Sequence, residues 1–348
     1  MLKAEPKFRG RFPWWGADLQ TLRDTLRPPR LPRDQGIPVT IALADGASLL
    51  AFHDRLAEPL GLVLLLHGLG GSSDREGLRR LGVALQAAGF EVLRLNLRGA
   101  GQGRPLAPGT YAAHCNRDLL PALACARQLA AGRPLFGVGL SLGGTILLNA
   151  CLPENSQGLS VQVPRLLDGL VCISSPLDLA LCSAAIERPR NFIYQRWLLR
   201  RLVRQTLEDP FSVTPAERLA LGQVRNIREF DGAITAPRWG FKSVDHYYLE
   251  ASPIHRLLPG LALKGSPESF PKDSQTSLPC PTLLIQAEDD SWVPASSIRS
   301  LAAGPTPAGL ELLLSSGGGH NGFHGRGDLP LACWSDQLAV GWLQALLA

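Results

Sequence analysis

Long apolar runs are missing from this 348-residue chain. The longest, such as Gly61–Leu66 and Thr145–Cys151, fall far short of the ~20 residues a membrane-spanning helix needs, so a soluble or at most peripheral protein is expected. Charge is also sparse: 19% of residues are charged, the formal net charge of +5 is spread along the chain, and aromatics make up 6%. Without a concentrated basic stripe interleaved with aromatics, a nucleic-acid groove is not expected, though the positive balance is compatible with a mild attraction to anionic membranes. Paired cysteine motifs are absent. The seven cysteines are odd in number, form no C-x-x-C and mostly sit inside apolar runs, which suits buried free thiols in a reducing compartment. Met1–Arg33 carries Lys, Arg and Pro throughout and lacks the continuous apolar stretch of a signal peptide, so a cytoplasmic location is expected. What the chain does have is 45% apolar residues, enough to bury a large core.

From about residue 38 short strand-like runs alternate with longer helix-like stretches, the pattern of a mostly parallel sheet covered on both faces. Strands are predicted at Val39–Leu43, Ser48–His53, Leu62–Leu66, Glu91–Asn96, Pro134–Gly139, Leu170–Ser174, Thr282–Ala287 and Glu311–Ser315. Helices are predicted at Asp74–Ala88, Tyr111–Ala130, Leu142–Cys151, Ala295–Ala302 and Leu331–Leu347. The alternation stops after Ser175 and resumes at Pro281, too long a gap for a simple loop. The expected organisation is therefore an N-terminal arm (1–37), a core (38–175 and 280–348) and a helical cap inserted after the sixth strand (176–279). Within the cap, Ala184–Leu207 sets Ile186, Ile193, Trp197, Leu198, Leu202 and Val203 among five arginines, predicting a basic amphipathic helix with its apolar side on the sheet. Gly265–Ser277, rich in Ser, Pro, Gly and Lys, reads as a flexible loop.

Four segments carry chemistry. In Gly137–Thr145 a strand ends and Gly139-x-Ser141-x-Gly143 leads directly into an apolar helix. A turn this tight needs residues without side chains two before and two after the serine, and it sets the hydroxyl at a helix N-terminus, where developing negative charge is stabilised. In Leu64–Gly71 a buried strand ends in His67-Gly68 and opens into a glycine-rich loop. Such a loop supplies one backbone N–H of an oxyanion hole and the residue after the serine the other, here Leu69 and Leu142. His67 itself reads as a structural histidine holding that loop. Pro281–Pro294 is a strand running into the acidic turn Glu288-Asp289-Asp290. Either aspartate could orient a histidine; Asp290 resembles the usual α/β-hydrolase pattern, in which the acid stands four residues before a proline in D-x-x-V-P. Finally, Ser315–Phe323 holds His320 in a glycine loop after the last strand, about thirty residues past the acid. His324 lies four residues beyond His320, but with no helix and no third ligand the pair is not expected to bind a metal, and no cofactor is implied.

Ser141, Asp290 and His320 follow the chain order of the α/β-hydrolase triad, and two opening strands before the alternation match that fold's eight-stranded, mostly parallel sheet. Beyond these, Trp14–Thr21, Asn96-Leu-Arg98-Gly99, Ile227–Asp231, Thr235–Phe241 and Tyr247–Ser252 resemble the YheT-like branch of the α/β-hydrolases, a group that includes eukaryotic membrane-associated lipases and phospholipases. The resemblance covers nearly the whole chain. It departs at Tyr111–Asp118, where His114 is followed by Cys115 and Asn116 in place of a Tyr-His-Gly segment. It implies a carboxylic ester hydrolase acting on short- to medium-chain acyl esters, acylglycerols or phospholipids among them, with its triad on Ser141, Asp290 and His320. The Arg98 turn and the Phe230–Asp231 pair read as structural, joining cap to sheet. A thioesterase or acyltransferase would use the same triad. A non-catalytic lipid-binding scaffold would need no nucleophile, base, acid and oxyanion loop together.

Overall fold

A computed structural model describes residues 7–152, 165–211, 213–258 and 277–348. Eight strands form one sheet: β1 (Ile37–Ala42), β2 (Ser48–Asp54), β3 (Gly61–Leu66), β4 (Phe90–Asn96), β5 (Leu135–Leu140), β6 (Gly169–Ile173), β7 (Ser277–Ala287) and β8 (Ala308–Ser315). Their order is β1-β2-β4-β3-β5-β6-β7-β8. β2 runs antiparallel to both its neighbours, β1 and β4, and every other pairing is parallel. Every residue of β3 and β4 is buried, as strands covered on both faces must be.

Six helices lie outside the cap among the described residues: α1 (Gly16–Leu26), α2 (Glu76–Ala87), α3 (Asn116–Ala130), α4 (Leu142–Cys151) and, after the cap, α12 (Ser296–Ala303) and α13 (Trp334–Ala345). One apolar cluster packs α3 and α4 on one face of the sheet, with Leu119, Ala122, Ile146 and Leu147 fully buried. The other packs α2 and α13, through Leu81, Leu85, Trp342 and Leu343.

Between β6 and β7 the described residues add no strand to the sheet. They form a cap of α5 (Leu179–Ile186), α6 (Phe192–Leu207), α7 (Pro215–Leu221), α8 (Ile227–Phe230), α9 (Ala236–Arg238), α10 (Val244–Ala251) and α11 (Ile254–Leu257). A single π-helical turn, Asp231–Thr235, joins α8 to α9. The loop predicted at Gly265–Ser277 lies outside the described residues except for Ser277, which opens β7.

Three local expectations change. The single amphipathic helix predicted over Ala184–Leu207 is two helices, because Pro189 starts a short 3₁₀ turn between α5 and α6. Its apolar residues also part company: Leu198 and Leu202 are buried, whereas Ile193 is 78% and Trp197 49% exposed. The helix predicted from Tyr111 begins only at Asn116, since residues 111–115 run as a buried, non-helical approach with the Tyr111 hydroxyl bonded to the loop after β3. No helix among the described residues is long and apolar enough to cross a membrane. All seven cysteines are free thiols, five of them buried.

A buried ionic network ties the ends of the chain to the core. Arg80 on α2 donates to Asp336 of α13 at 2.7 Å and to Asp24 of α1, and Asp24 in turn meets His324 at 3.4 Å. The Arg80 guanidinium holds Asp24 well below the usual carboxylate range despite its burial. Removing one member of a buried pair strands its partner's charge. Asp336→Ala should therefore cost about 3 kcal/mol of stability in urea unfolding followed by tryptophan fluorescence. Glu208→Ala, which breaks the solvent-exposed Arg204–Glu208 pair, should leave the midpoint unchanged; equal effects would mean that Arg80 is solvated.

Candidate active site

Ser141 occupies the turn between β5 and α4 with φ 52° and ψ −125°, a conformation that L-residues rarely adopt. The turn is possible because its flanks lack side chains. A Cβ on Gly139 would lie 2.2 Å from the Gly144 nitrogen, and one on Gly143 would lie 2.5 Å from the Leu66 carbonyl oxygen. The serine backbone is held from the neighbouring strand, its N–H donating to the Ile173 carbonyl at 2.8 Å.

Three distant loops converge on this side chain. His320 places Nε2 3.0 Å from the Ser141 Oγ and Nδ1 2.9 Å from Asp290 Oδ2. Asp290 is buried at the end of β7, and its carboxylate also accepts the amides of Trp292 and Val293 and the side chain of Gln286. Asp289, the alternative acid, turns away and accepts the Gly319 amide at 2.8 Å, bracing the loop that carries His320. Its carboxyl is pushed up by burial and by the neighbouring Asp290. The Trp292 ring stacks on the imidazole with centroids 4.5 Å apart and planes 21° apart, which fixes the ring's tilt.

The N-terminal arm supplies the rest of the histidine's support. Thr21 Oγ1 accepts the His320 amide at 2.9 Å, while Gln20 accepts the His324 amide and donates to the His324 carbonyl. Gln20 and Thr21 close the Trp14–Thr21 segment that entered the sequence reading only through resemblance. Neither periodicity nor composition marks them, because their role rests on contacts some 300 residues away in the chain.

On the opposite side of Ser141, the loop after β3 is pinned twice. Tyr111 Oη accepts the Gly70 amide at 2.7 Å and donates to the Gly68 carbonyl at 3.1 Å, so one phenol grips the residues on both sides of Leu69. His67 Nδ1 donates to the same Gly68 carbonyl at 2.8 Å, and Nε2 accepts the Leu97 amide at 3.3 Å, an arrangement only a neutral ring can make. The amides of Leu69 and Leu142 find no acceptor among the described residues. Tyr111, absent from the sequence-derived candidates, was hidden inside a segment that reads as helix.

Other sequence candidates lie elsewhere. His324 packs between Asp24 and Asp328. His114 sits half-buried before α3. Arg98 pairs with Asp118 and Asp45 within the core, while its turn meets the cap through Gln205, which donates to the Gly99 carbonyl. Phe230 packs on Leu69, as expected of a cap-to-core joint. Asp231 does not share that role, since its hydrogen bonds remain within the cap.

A cavity of about 300 Å³ opens over Ser141 and His320, walled by Leu142 from the core and by Ile186, Leu198 and Phe230 from the cap. A mostly apolar wall around a few convergent polar groups suits an organic ligand.

Burial lowers His67 from 6.5 to about 4. The unfolded chain therefore takes up a proton between those values that the folded chain refuses. His67 contributes its full stability above pH 6.5, and the contribution is lost as pH falls towards 4. Replacing it with glutamine should make the decline in unfolding free energy over this interval shallower by roughly 3 kcal/mol. Identical slopes in wild type and variant would mean that His67 protonates freely in the fold.

Comparison with known proteins agrees with this geometry. Residues 61–326 match the family model described as alpha/beta hydrolase fold. Phospholipase ABHD3 of Mus musculus is 28% identical over 289 residues, 82% of this chain and 64% of that protein, so the chain spans under two thirds of that relative's length. The putative esterase YheT of Escherichia coli is 28% identical over 289 residues, 82% of this chain and 77% of that protein. Among solved structures, a soluble variant of monoglyceride lipase from Saccharomyces cerevisiae superposes with a TM-score of 0.55 over 92% of this chain and 99% of that one, at 19% identity, a likeness of fold. On its sheet order, its strand-to-helix turn at Ser141 and the match over residues 61–326, the chain belongs to the alpha/beta hydrolase fold family.

Proposed function

We propose that this chain is a carboxylic ester hydrolase working through Ser141, His320 and Asp290. The observation that carries the reading is the unbroken line of hydrogen bonds from Asp290 through His320 to Ser141 on the floor of the cavity. In this mechanism His320 Nε2 takes the hydroxyl proton as Ser141 Oγ attacks the ester carbonyl carbon. The carbonyl oxygen becomes an oxyanion held by the amides of Leu69 and Leu142. Collapse breaks the bond to the leaving alcohol, which takes the proton from His320, and an acyl-enzyme remains. A water then gives a proton to His320 and attacks the acyl carbon; the carboxylic acid departs as the proton returns to Ser141. Asp290 keeps the imidazole in the required tautomer and steadies its charged form. The cap residues Ile186, Leu198 and Phe230 supply the apolar wall for an acyl chain of short to medium length, on glycerol or phospholipid esters among others. The curated relatives named esterase, lipase and phospholipase support ester hydrolysis as the reaction class.

The test is hydrolysis of p-nitrophenyl esters from acetate to palmitate. Ser141→Ala should abolish both turnover and labelling by a fluorophosphonate, and Asp290→Asn should lower kcat by about 10⁴. Activity surviving in Ser141→Ala, or a folded wild type that neither turns over nor labels, would overturn the reading. Transfer to thiols or alcohols faster than to water would redirect it to an acyltransferase.

We also infer a peripheral contact with lipid surfaces. Phe12 and Trp15 of the arm stack edge to face while largely exposed, and Phe192, Ile193 and Trp197 stand exposed on α6, which the arm meets through Tyr194, whose hydroxyl donates to Asp18 at 3.0 Å. Wild type should float with anionic vesicles, and combining Trp15→Asp with Ile193→Asp should release it. Flotation unaffected by both changes would remove this surface from consideration.

A further inference from the structure

The cavity over Ser141 is walled mainly by apolar side chains, yet one carboxylate, Asp231, lines it. Asp231 opens the π-helical turn between α8 and α9, a rare local geometry that frequently accompanies function. Its two oxygens accept hydroxyls only: Oδ1 from Thr235 at 2.8 Å and Oδ2 from Tyr248 at 2.9 Å. Among the described residues no Lys, Arg or His forms an ion pair with it. The cation on the same stretch, Arg228, is committed to Asp245 and lies over the Tyr248 ring. A carboxylate has about four acceptor positions, so two hydroxyls leave it with unused capacity. Burial pushes its carboxyl up to about 6, which measures how poorly the site compensates the charge.

A purely structural tie between cap helices would need no charge there, since an amide could bond the same two hydroxyls at lower desolvation cost. Two further polar groups line the same cavity. Ser183 Oγ, 3.3 Å from the Tyr248 hydroxyl, lines the same wall and extends the polar strip. Thr110 Oγ1, also on the cavity wall and buried, has no hydrogen-bond partner among the described residues. A cavity that presents a carboxylate with unused acceptor positions and an unpaired hydroxyl suits a ligand carrying its own hydroxyl.

Resting on the ester-hydrolase reading, we propose that Asp231, with Tyr248 and Ser183, forms a specificity subsite that accepts a hydrogen bond from a free hydroxyl of the ester substrate. Losing one hydrogen bond to a buried charged group costs roughly 10- to 100-fold in discrimination. The hydroxyl can sit on the leaving alcohol or on the acyl chain, and two matched pairs of esters separate these sources. One pair is 1-monooctanoylglycerol and its di-O-methyl ether. The other is p-nitrophenyl 8-hydroxyoctanoate and p-nitrophenyl octanoate.

Wild type should favour the hydroxylated member of one pair by at least about tenfold in kcat/KM. In Asp231→Asn that ratio should fall to within about twofold, through the hydroxylated ester alone, with turnover of p-nitrophenyl octanoate retained. A wild type showing no preference in either pair would overturn the subsite, and this arm decides even if the variant fails to fold. A variant that lowers both members of a pair equally, or keeps the preference, would assign Asp231 to the scaffold. Absence of all ester hydrolysis and fluorophosphonate labelling in folded wild type would instead sink the hydrolase reading, and the subsite with it.

Discussion

The turn at Ser141 sets the terms for the rest of the molecule. A residue with a side chain is held at positive φ between β5 and α4, which is tolerable only where the surroundings over-determine it. The helix start comes so close to the ends of β3 and β5 that positions 139 and 143 have no room for a Cβ. This close approach brings the loop after β3 beside the serine: a Cβ on Gly68 would lie 2.9 Å from that of Ser141. The strain is thus local, and the buried strands β3 and β4, with β5 buried up to Gly139, carry it.

Around that fixed point, mobility is removed piece by piece. Loops at the ends of strands are the least constrained parts of such a fold, and here each one near Ser141 is tied by a group from another region. Asp289 and Thr21 hold the two amides of Gly319 and His320, Trp292 stacks on the imidazole, and Tyr111 and His67 hold the turn containing Leu69. The arm adds a charged anchor through Asp24, which links α1 to Arg80 and to His324. Preorganisation of this kind leaves the proposed nucleophile, base and oxyanion amides in place before any substrate arrives.

The cap has a different logic. Its helices α5 and α9 to α11 join the core cluster directly, through Leu179, Ala236, Tyr247, Ala251 and Leu257, whereas the two smaller cap clusters around α6 and α8 both pack on Leu69. The residue whose amide is proposed to hold the oxyanion therefore also seats part of the cap, so the wall of the cavity and the proposed oxyanion site share a boundary. Phe192, Ile193 and Trp197 on α6 and Phe12 and Trp15 on the arm remain exposed, while Asp231 gives the inner wall a polar feature.

Much of this was legible in the chain. Strand alternation gave the eight strands within a few residues, because apolar runs bounded by glycine and proline have few other ways to be buried. Ser141, Asp290 and His320 stood out because each sits in a local pattern that a strand end imposes. Helix starts at Tyr111 and Ala184 were misplaced, since a tyrosine bonded to a distant loop and a proline-started turn both look helical by composition. The sequence by itself determined the sheet, the glycine-flanked turn and the identity of three polar groups, all products of short-range sterics and hydrophobic periodicity. Tertiary structure alone decided that Asp289 braces the histidine loop, that Gln20, Thr21 and Tyr111 support the site, and that Asp231 lines the cavity. Those outcomes depend on hydrogen-bond partners tens to hundreds of residues apart, whose pairing is fixed only when the core has packed.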